Sequence, residues 1–185
     1  QRQMCIRDRG AGDTIIMLLP QSSGPVGVEP FLNRLSETFT VIRYDQLGTG
    51  KSSPITSPNG MTMTSRAGEV LALLDALELD HAILCSHSTG CGIGIATAVT
   101  YPDHVAGLAL ISPWSYADGH LTTMQNLRIA AARGLDPYRY AWFNSSLLFP
   151  PAYRRDHQAC FEEIADATKS SPQNADQISE RLKAI

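Results

Sequence analysis

Hydrophobic and polar positions alternate in blocks along the first part of the chain. Four short apolar runs, each bounded by polar, proline or glycine residues, are typical of strands buried on both faces. The four predicted strands are Thr14–Leu19, Phe39–Tyr44, Ala82–Cys85 and Val105–Ile111. Apolar residues at helical spacing lie between these strands, around Phe31–Leu35, Val70–Leu77 and Ile93–Thr100. Strands that alternate with helices predict an α/β fold, a parallel sheet flanked by helices.

The pattern changes after Trp114, where no further strand is predicted. Prolines separate the helical stretches Leu121–Arg133, Tyr138–Leu148, Asp156–Lys169 and Asp176–Ala184. We therefore assign residues 11–113 to the α/β core and 114–185 to a helical cap or lid that follows the fourth strand.

Residues 1–10 fit neither block. They carry three arginines without an apolar period, and they resemble translated sequencing-adapter sequence. We expect this segment to be non-native or disordered.

Composition narrows the classes of function. The chain has 185 residues, 43% of them hydrophobic, and a net charge of −3. This balance suits a globular domain with a core and gives no reason to expect nucleic-acid binding. No apolar stretch approaches the roughly 20 residues of a membrane span, so we expect no membrane association. The four cysteines have no paired spacing, which predicts reduced thiols in a cytoplasmic protein, without a metal or other cofactor.

The clearest chemical signal is Ser88. The third predicted strand leads into Ser86-His87-Ser88-Thr89-Gly90, and a glycine-rich helix pattern follows. A serine between small residues at a strand-to-helix turn is typical of a nucleophile elbow. Such a serine attacks a substrate carbonyl to form an acyl-type covalent intermediate, and the helix N-terminus stabilises the oxyanion. The alternative is a polar turn in which Ser88 caps the helix.

Two glycine-rich segments raise nucleotide binding as a rival function. Gly48–Ser52 is similar to the end of a phosphate-binding loop, but Asp45 stands where that motif needs its first glycine. The glycines from Gly90 onward miss the dinucleotide-binding spacing at Ile95. Both motifs therefore fail, and we do not expect a nucleotide site.

Four segments together resemble the α/β-hydrolase fold family. They are the turn after the first strand, the sequence Tyr-Asp-Gln-Leu-Gly-Thr-Gly-Lys-Ser at residues 44–52, the elbow, and Tyr101–Val105. The resemblance covers Thr14 to Pro113. Residues 146–151 and 181–184 extend it to the aminoacrylate (carbamate) hydrolases, with the 3-oxoadipate enol-lactonases close in pattern.

This resemblance implies a partial α/β-hydrolase fold and a serine hydrolase of small ester, lactone or amide/carbamate-like substrates. It implies Ser88 as the nucleophile and the backbone N–H groups of Thr89 and Ser22 as the oxyanion hole. Where the family usually has His-Gly, this chain has Pro20-Gln21. Aromatic residues that are candidates for lining a substrate pocket are Trp114 and Trp142.

The resemblance also implies a catalytic acid and histidine on loops that follow the helical block. We expect both beyond residue 185, because His104, His120 and His157 do not occupy such a loop. The chain alone would then be nearly inactive.

Within the chain, Asp118 is a weak candidate for the catalytic acid. Two other polar residues near the motifs have structural interpretations. Asp45 is expected to hold the Gly48–Ser52 loop, and His87 to pack beside the elbow rather than act as a base.

A non-catalytic relative that binds a small ligand remains the alternative function, because fold does not fix function.

Overall fold

One mixed sheet forms the centre of the first half of the chain. The computed structural model describes residues 4–20, 28–56, 61–170 and 174–185. Five strands lie in the order β1-β3-β2-β4-β5; they are β1 (Ile6–Arg9), β2 (Thr14–Leu18), β3 (Thr40–Tyr44), β4 (Ala82–His87) and β5 (Val105–Ile111). Strands β2 to β5 run parallel. The four predicted strands and the α/β class are therefore confirmed.

Ile6–Arg9, within the segment expected to be non-native or disordered, form strand β1. Ile6 pairs with Tyr44 and Arg9 with Val41, antiparallel to β3 at the edge of the sheet. This strand has little signal in the sequence, because backbone hydrogen bonds form an edge strand and charged side chains are common there.

Helices cover both faces of the sheet. They are α1 (Val28–Ser36), α2 (Met63–Ala76) and α3 (Thr89–Thr100). Ile16 and Leu18 of β2 belong to the core shared with α2 and α3. Ile15 and Met17 alternate with them and pack with Leu32 of α1 on the opposite face. Burial on both faces explains why the strand is continuously apolar.

Helix α2 begins slightly earlier in the chain than its sequence suggests. The N-cap is Thr62, whose hydroxyl accepts from the Ser65 N–H at 3.0 Å, while the Ser65 hydroxyl accepts from the Thr62 N–H at 3.0 Å. The sequence pattern instead suggests Thr64 or Ser65 as the cap. Ser65 takes part, but as the reciprocal partner of a capping box.

After β5, all the regular elements among the described residues are helices. The chain divides into a unit of residues up to Tyr116 together with Ala184–Ile185, and a unit of Ala117–Lys183. The second unit contains α4 (Gly119–Gly134), α5 (Pro137–Leu148), α6 (Pro151–Asp156), α7 (Gln158–Ser170) and α8 (Ala175–Lys183). The four predicted helical stretches are confirmed, with α6 as an addition. None of the helices described is long and apolar enough to cross a membrane.

Candidate active site

The carboxyl ends of the parallel strands bring chemistry-bearing residues to one edge of the sheet. Asp45 follows β3, Ser88 follows β4 and Ser112 follows β5. Ligands of open α/β sheets bind outside this edge. Ser22, expected as an oxyanion donor after β2, lies outside the described residues.

Ser88 has a strained backbone at the turn between β4 and α3. Its φ is 52° and its ψ −122°, a left-handed conformation that costs a serine roughly 1–3 kcal/mol. Hydrogen bonds fix the peptide on both sides. The Ser88 N–H donates to the Ile111 carbonyl at 3.0 Å, and the Cys91 N–H donates to the Ser88 carbonyl at 2.9 Å.

The Ser88 hydroxyl is not used to hold the helix. Ser88 occupies the N-cap position of α3, yet its side chain makes no capping hydrogen bond. The interpretation of this turn as an ordinary serine cap requires that bond. The first N–H groups of a helix, here beginning with Thr89, have no acceptor within the helix. Among the described residues, the turn therefore combines a hydroxyl that makes no capping bond with N–H donors suited to an oxyanion.

Glycine is required where the elbow meets the neighbouring strand. A Cβ added at Gly90 would lie 1.9 Å from the Leu18 carbonyl oxygen. This close approach explains the glycine two residues after Ser88, and it brings the start of α3 against the end of β2.

Ser86 is an unusual residue beneath the elbow. It is fully buried, and its hydroxyl has no hydrogen-bond partner among the described residues. A Cβ added at Gly94 would lie 2.4 Å from the Ser86 Oγ, so the hydroxyl sits directly over the α3 backbone. A buried hydroxyl without a partner costs about 1–3 kcal/mol.

Asp45 holds the loop that follows β3, as its sequence context suggests. The carboxylate is 2% exposed and accepts from the Lys51 N–H at 2.9 Å. Its other oxygen pairs with the Arg7 guanidinium. Gly50 has a φ of 51°, and a Cβ there would lie 2.1 Å from Asp45 Oδ2. These bonds leave the carboxylate to a structural role.

Among the histidines of the first unit, only His87 lies at the carboxyl edge of the sheet. His81 and His104 lie next to the amino ends of β4 and β5, the opposite edge of the sheet, and His104 Nδ1 is 2.7 Å from the Asp80 carbonyl oxygen. His120 and His157 belong to the helical unit. His87 remains at the carboxyl edge. Its half-buried ring has no partner for Nδ1 among the described residues, and burial lowers its pKa.

The cysteines near the elbow are buried structural groups. All four cysteines are free. Burial raises the pKa values of both Cys85 and Cys91, which disfavours the thiolate that a nucleophile requires. The Cys91 thiol instead donates to the Ser86 and Ile111 carbonyls, each at 3.3 Å. Among the described residues, no cluster of three or more potential ligands could hold a metal ion.

Three residues after β5 are candidates from the sequence for the pocket or the catalytic acid, and each lies in a different element or loop. Trp114 follows β5 in the first unit, whereas Trp142 lies in α5 of the second and packs edge-to-face with Tyr138 at 6.4 Å between ring centroids. Their role in a pocket stays a prediction. Asp118, the weak acid candidate, caps α4 by accepting from the Leu121 N–H at 2.7 Å.

A buried polar cluster near this edge was missed by the sequence analysis. Gln46, Arg66 and Glu69 are 2%, 2% and 6% exposed. Arg66 and Glu69 stand in the same helical stripe as Val70 and Leu73, which face the core. Two charged residues at core-facing positions of α2 were the signal in the sequence.

Comparison with known proteins agrees with this geometry. The family described as "alpha/beta hydrolase fold" matches residues 19–148. The chain belongs to this family. The carbamate hydrolase RutD named in Azorhizobium caulinodans is 29% identical over 154 residues, which are 83% of this chain and 57% of that protein. The chain thus spans little more than half the length of this curated relative.

Solved structures share the fold at lower identity. An α/β hydrolase from a Medee basin deep-sea metagenome library aligns with a TM-score of 0.85 and 18% identity, over 99% of this chain and 68% of that one. The enol-lactonase from Burkholderia xenovorans LB400 aligns with a TM-score of 0.79 and 22% identity, over 100% and 70%. At these identities the likeness establishes the fold alone.

Proposed function

We propose that the chain carries the nucleophile half of a serine hydrolase, with Ser88 as the attacking group. The observation that carries the proposal is the strained backbone of Ser88 combined with a hydroxyl that makes no capping bond. Strain of this kind persists where the surrounding structure fixes it, often at active sites. The hydroxyl oxygen attacks a carbonyl carbon, the leaving group departs, and water later releases the acyl group.

The oxyanion is stabilised by two backbone donors in this proposal. The Thr89 N–H lies at the start of α3, where the helix dipole favours negative charge. The Ser22 N–H follows β2 in the sequence. Such donors act in the transition state, and loss of one costs roughly 10²–10³-fold in kcat.

The base and its acid lie outside these 185 residues in this proposal. The positions of His81 and His104 at the amino edge of the sheet support it, as does the 57% coverage of the RutD relative. Without its base, the serine retains only the rate that oxyanion stabilisation and binding provide. The chain alone is therefore nearly inactive.

The substrate is a small ester, lactone or amide/carbamate-like molecule. Similarity to a relative named carbamate hydrolase supports this class. The free thiols fit a reducing compartment, and we assign the protein to the cytoplasm on that basis.

Chemical rescue tests the proposal on the chain itself. The wild-type chain and Ser88→Ala are incubated with p-nitrophenyl acetate, with and without imidazole as an external base, and acetylation is followed by intact mass. We expect little acetylation without imidazole and a rescued adduct that Ser88→Ala lacks. An adduct equally abundant in Ser88→Ala would refute Ser88 as nucleophile. Fast Ser88-dependent turnover without imidazole would refute the proposal that the base lies outside these 185 residues.

A further inference from the structure

A second serine with a left-handed backbone lies next to the elbow. Among the described residues other than glycine, positive φ angles occur at Glu78 (55°), Ser88 (52°) and Ser112 (54°). Glu78 directly follows the C-cap of α2, where a left-handed residue commonly ends a helix. Ser112 instead lies between β5 and Pro113, away from the ends of the described helices. Its conformation therefore needs another explanation.

The side chain of Ser112 does not provide that explanation. Ser112 is exposed, so packing of its side chain does not compensate for the strain. The proline that follows disfavours the right-handed helical region for Ser112, which leaves an extended backbone as the unstrained alternative. A left-handed residue other than glycine persists where the surrounding structure fixes it. The cause is therefore expected in the backbone around Ser112.

The peptide before Ser112 carries the last hydrogen bond between β5 and the elbow. His87 and Ile111 are the final pair in the register of β4 and β5. The Ile111 carbonyl accepts from the Ser88 N–H at 3.0 Å and from the Cys91 thiol at 3.3 Å. This one carbonyl thus binds both the proposed nucleophile at the end of β4 and the first turn of α3.

The φ angle of Ser112 is coupled to the direction of that carbonyl. A peptide unit is planar and rigid, so it turns only about its two flanking bonds, whose angles are the Ile111 ψ and the Ser112 φ. If the chain on both sides stays in place, a change of the Ser112 φ must be offset by the Ile111 ψ. Relaxation of Ser112 to an extended backbone would therefore turn the Ile111 carbonyl away from the Ser88 N–H.

We propose that Ser112 is a positioning residue for the nucleophile, an inference that rests on the proposed function. Its left-handed backbone aims the Ile111 carbonyl at the Ser88 N–H and so fixes the backbone from which the attacking hydroxyl projects. The role belongs to the backbone conformation of Ser112 and not to its hydroxyl. Misplacement of a reacting group by about 1 Å costs on the order of 10²-fold in rate.

Substitutions that differ in their tolerance of a positive φ test the proposal. Ser112→Gly adopts this conformation without strain, whereas Ser112→Val places a β-branched side chain where it is strongly disfavoured. Glu78→Gly and Glu78→Val are the matched controls, because Glu78 has nearly the same φ and precedes the amino end of β4, opposite the elbow. Ser112→Thr, also β-branched, replaces Ser112→Val if that variant does not fold.

The experiment measures phosphonylation of Ser88 by a fluorophosphonate in imidazole buffer, without urea, on each folded variant. The ¹H resonance of the Ser88 amide, which reports its hydrogen bond, is recorded in parallel. We expect Ser112→Val to slow phosphonylation at least tenfold and to shift the Ser88 amide upfield. Ser112→Gly should react within about twofold of the wild-type rate and keep the resonance. Glu78→Val should lower the urea midpoint without changing the rate or the resonance.

The possible failures are distinguishable. If wild type shows no adduct at Ser88, the proposed function is overturned, and the inference with it. If wild type is labelled and Ser112→Val reacts at the same rate, the positioning role is overturned and the proposed function stands. A rate loss shared by Glu78→Val would assign the effect to general destabilisation, and a loss shared by Ser112→Gly would assign it to the Ser112 side chain. Either result would overturn the inference.

Discussion

Two turns at the same edge of the sheet use their polar residues in opposite ways. After β3, the Asp45 carboxylate is almost fully buried and bonded to Lys51 and Arg7. After β4, Ser88 is half-buried, its backbone is strained, and its hydroxyl makes no capping bond. Both residues directly follow a strand, and the sequence predicts a structural role for Asp45 and a catalytic role for Ser88.

The two residues differ in how far their side-chain hydrogen-bonding atoms are used within the fold. The carboxylate oxygens of Asp45 accept hydrogen bonds that hold the loop. The Ser88 backbone is fixed by hydrogen bonds with Ile111 and Cys91, while its hydroxyl makes no capping bond. A position at a strand end is thus insufficient to mark a functional group. Strain together with an unused polar atom is the more specific signal.

The largest effect is expected from Gly90→Ala, which breaks the elbow. The added methyl group would collide with the Leu18 carbonyl, and backbone cannot yield as a side chain does, so we expect a loss of about 3 kcal/mol in the free energy of unfolding. Urea denaturation measures it. Gly134→Ala, in α4 with open space around it, is the control and should gain up to about 1 kcal/mol. Equal stability of both variants would contradict the close packing of the elbow.

Asp45→Ala tests the other turn. It removes the acceptor of the Lys51 N–H, and we expect a loss of about 2 kcal/mol on urea denaturation. Phosphonylation of Ser88 should persist in the folded variant. Asp118→Ala is the control for loss of an exposed cap and should cost about 1 kcal/mol. Unchanged stability with abolished Ser88 labelling would make Asp45 a catalytic residue and erase the contrast between the two turns.

Ser86→Ala sharpens the account of the elbow. Its buried hydroxyl has no hydrogen-bond partner in the part of the chain that the structure describes, and we expect its removal to stabilise the fold by about 1 kcal/mol. Thr97→Val, which removes a bonded hydroxyl, should destabilise by a similar amount. A stability loss in Ser86→Ala, seen by urea denaturation, would show that the Ser86 hydroxyl has a partner in solution.

The smallest effect concerns His87 and pH. Burial lowers its pKa below the ordinary value of 6.5, so the unfolded chain binds a proton more readily than the folded chain. The neutral His87 ring therefore contributes to the free energy of unfolding in full above pH 6.5, and this contribution is lost as the pH falls below 6.5. The urea midpoint of His87→Gln should therefore fall less steeply than that of wild type between neutral pH and pH 5. Parallel curves would contradict the burial of a neutral ring.

Much of the fold follows from the pattern of apolar residues. The apolar runs that became β2 to β5 and the spacing that became α3 are strong signals. Strands β2, β3 and β4 are mostly buried as expected, whereas most of β5 is exposed, so its burial on both faces is not confirmed. Strand β1 escaped prediction because Ile6–Arg9 is held by backbone bonds. No local pattern reports such pairing.

The site was only partly predictable. The sequence indicates Ser88 through its small neighbours, but it does not reveal whether the hydroxyl caps α3 or stays uncommitted, which depends on the backbone angles. The contact of Gln46 with Leu19 joins residues 27 positions apart. A tertiary hydrogen bond of this kind leaves no periodic trace in one sequence.

The most direct test of the central claim is to map the fluorophosphonate adduct on the wild-type chain in imidazole buffer by peptide mass spectrometry. The account predicts a single modified residue, Ser88, with Ser86 and Ser112 unmodified and no adduct in Ser88→Ala. An adduct on another serine, or none at all, would contradict the identification of this turn as a nucleophile elbow.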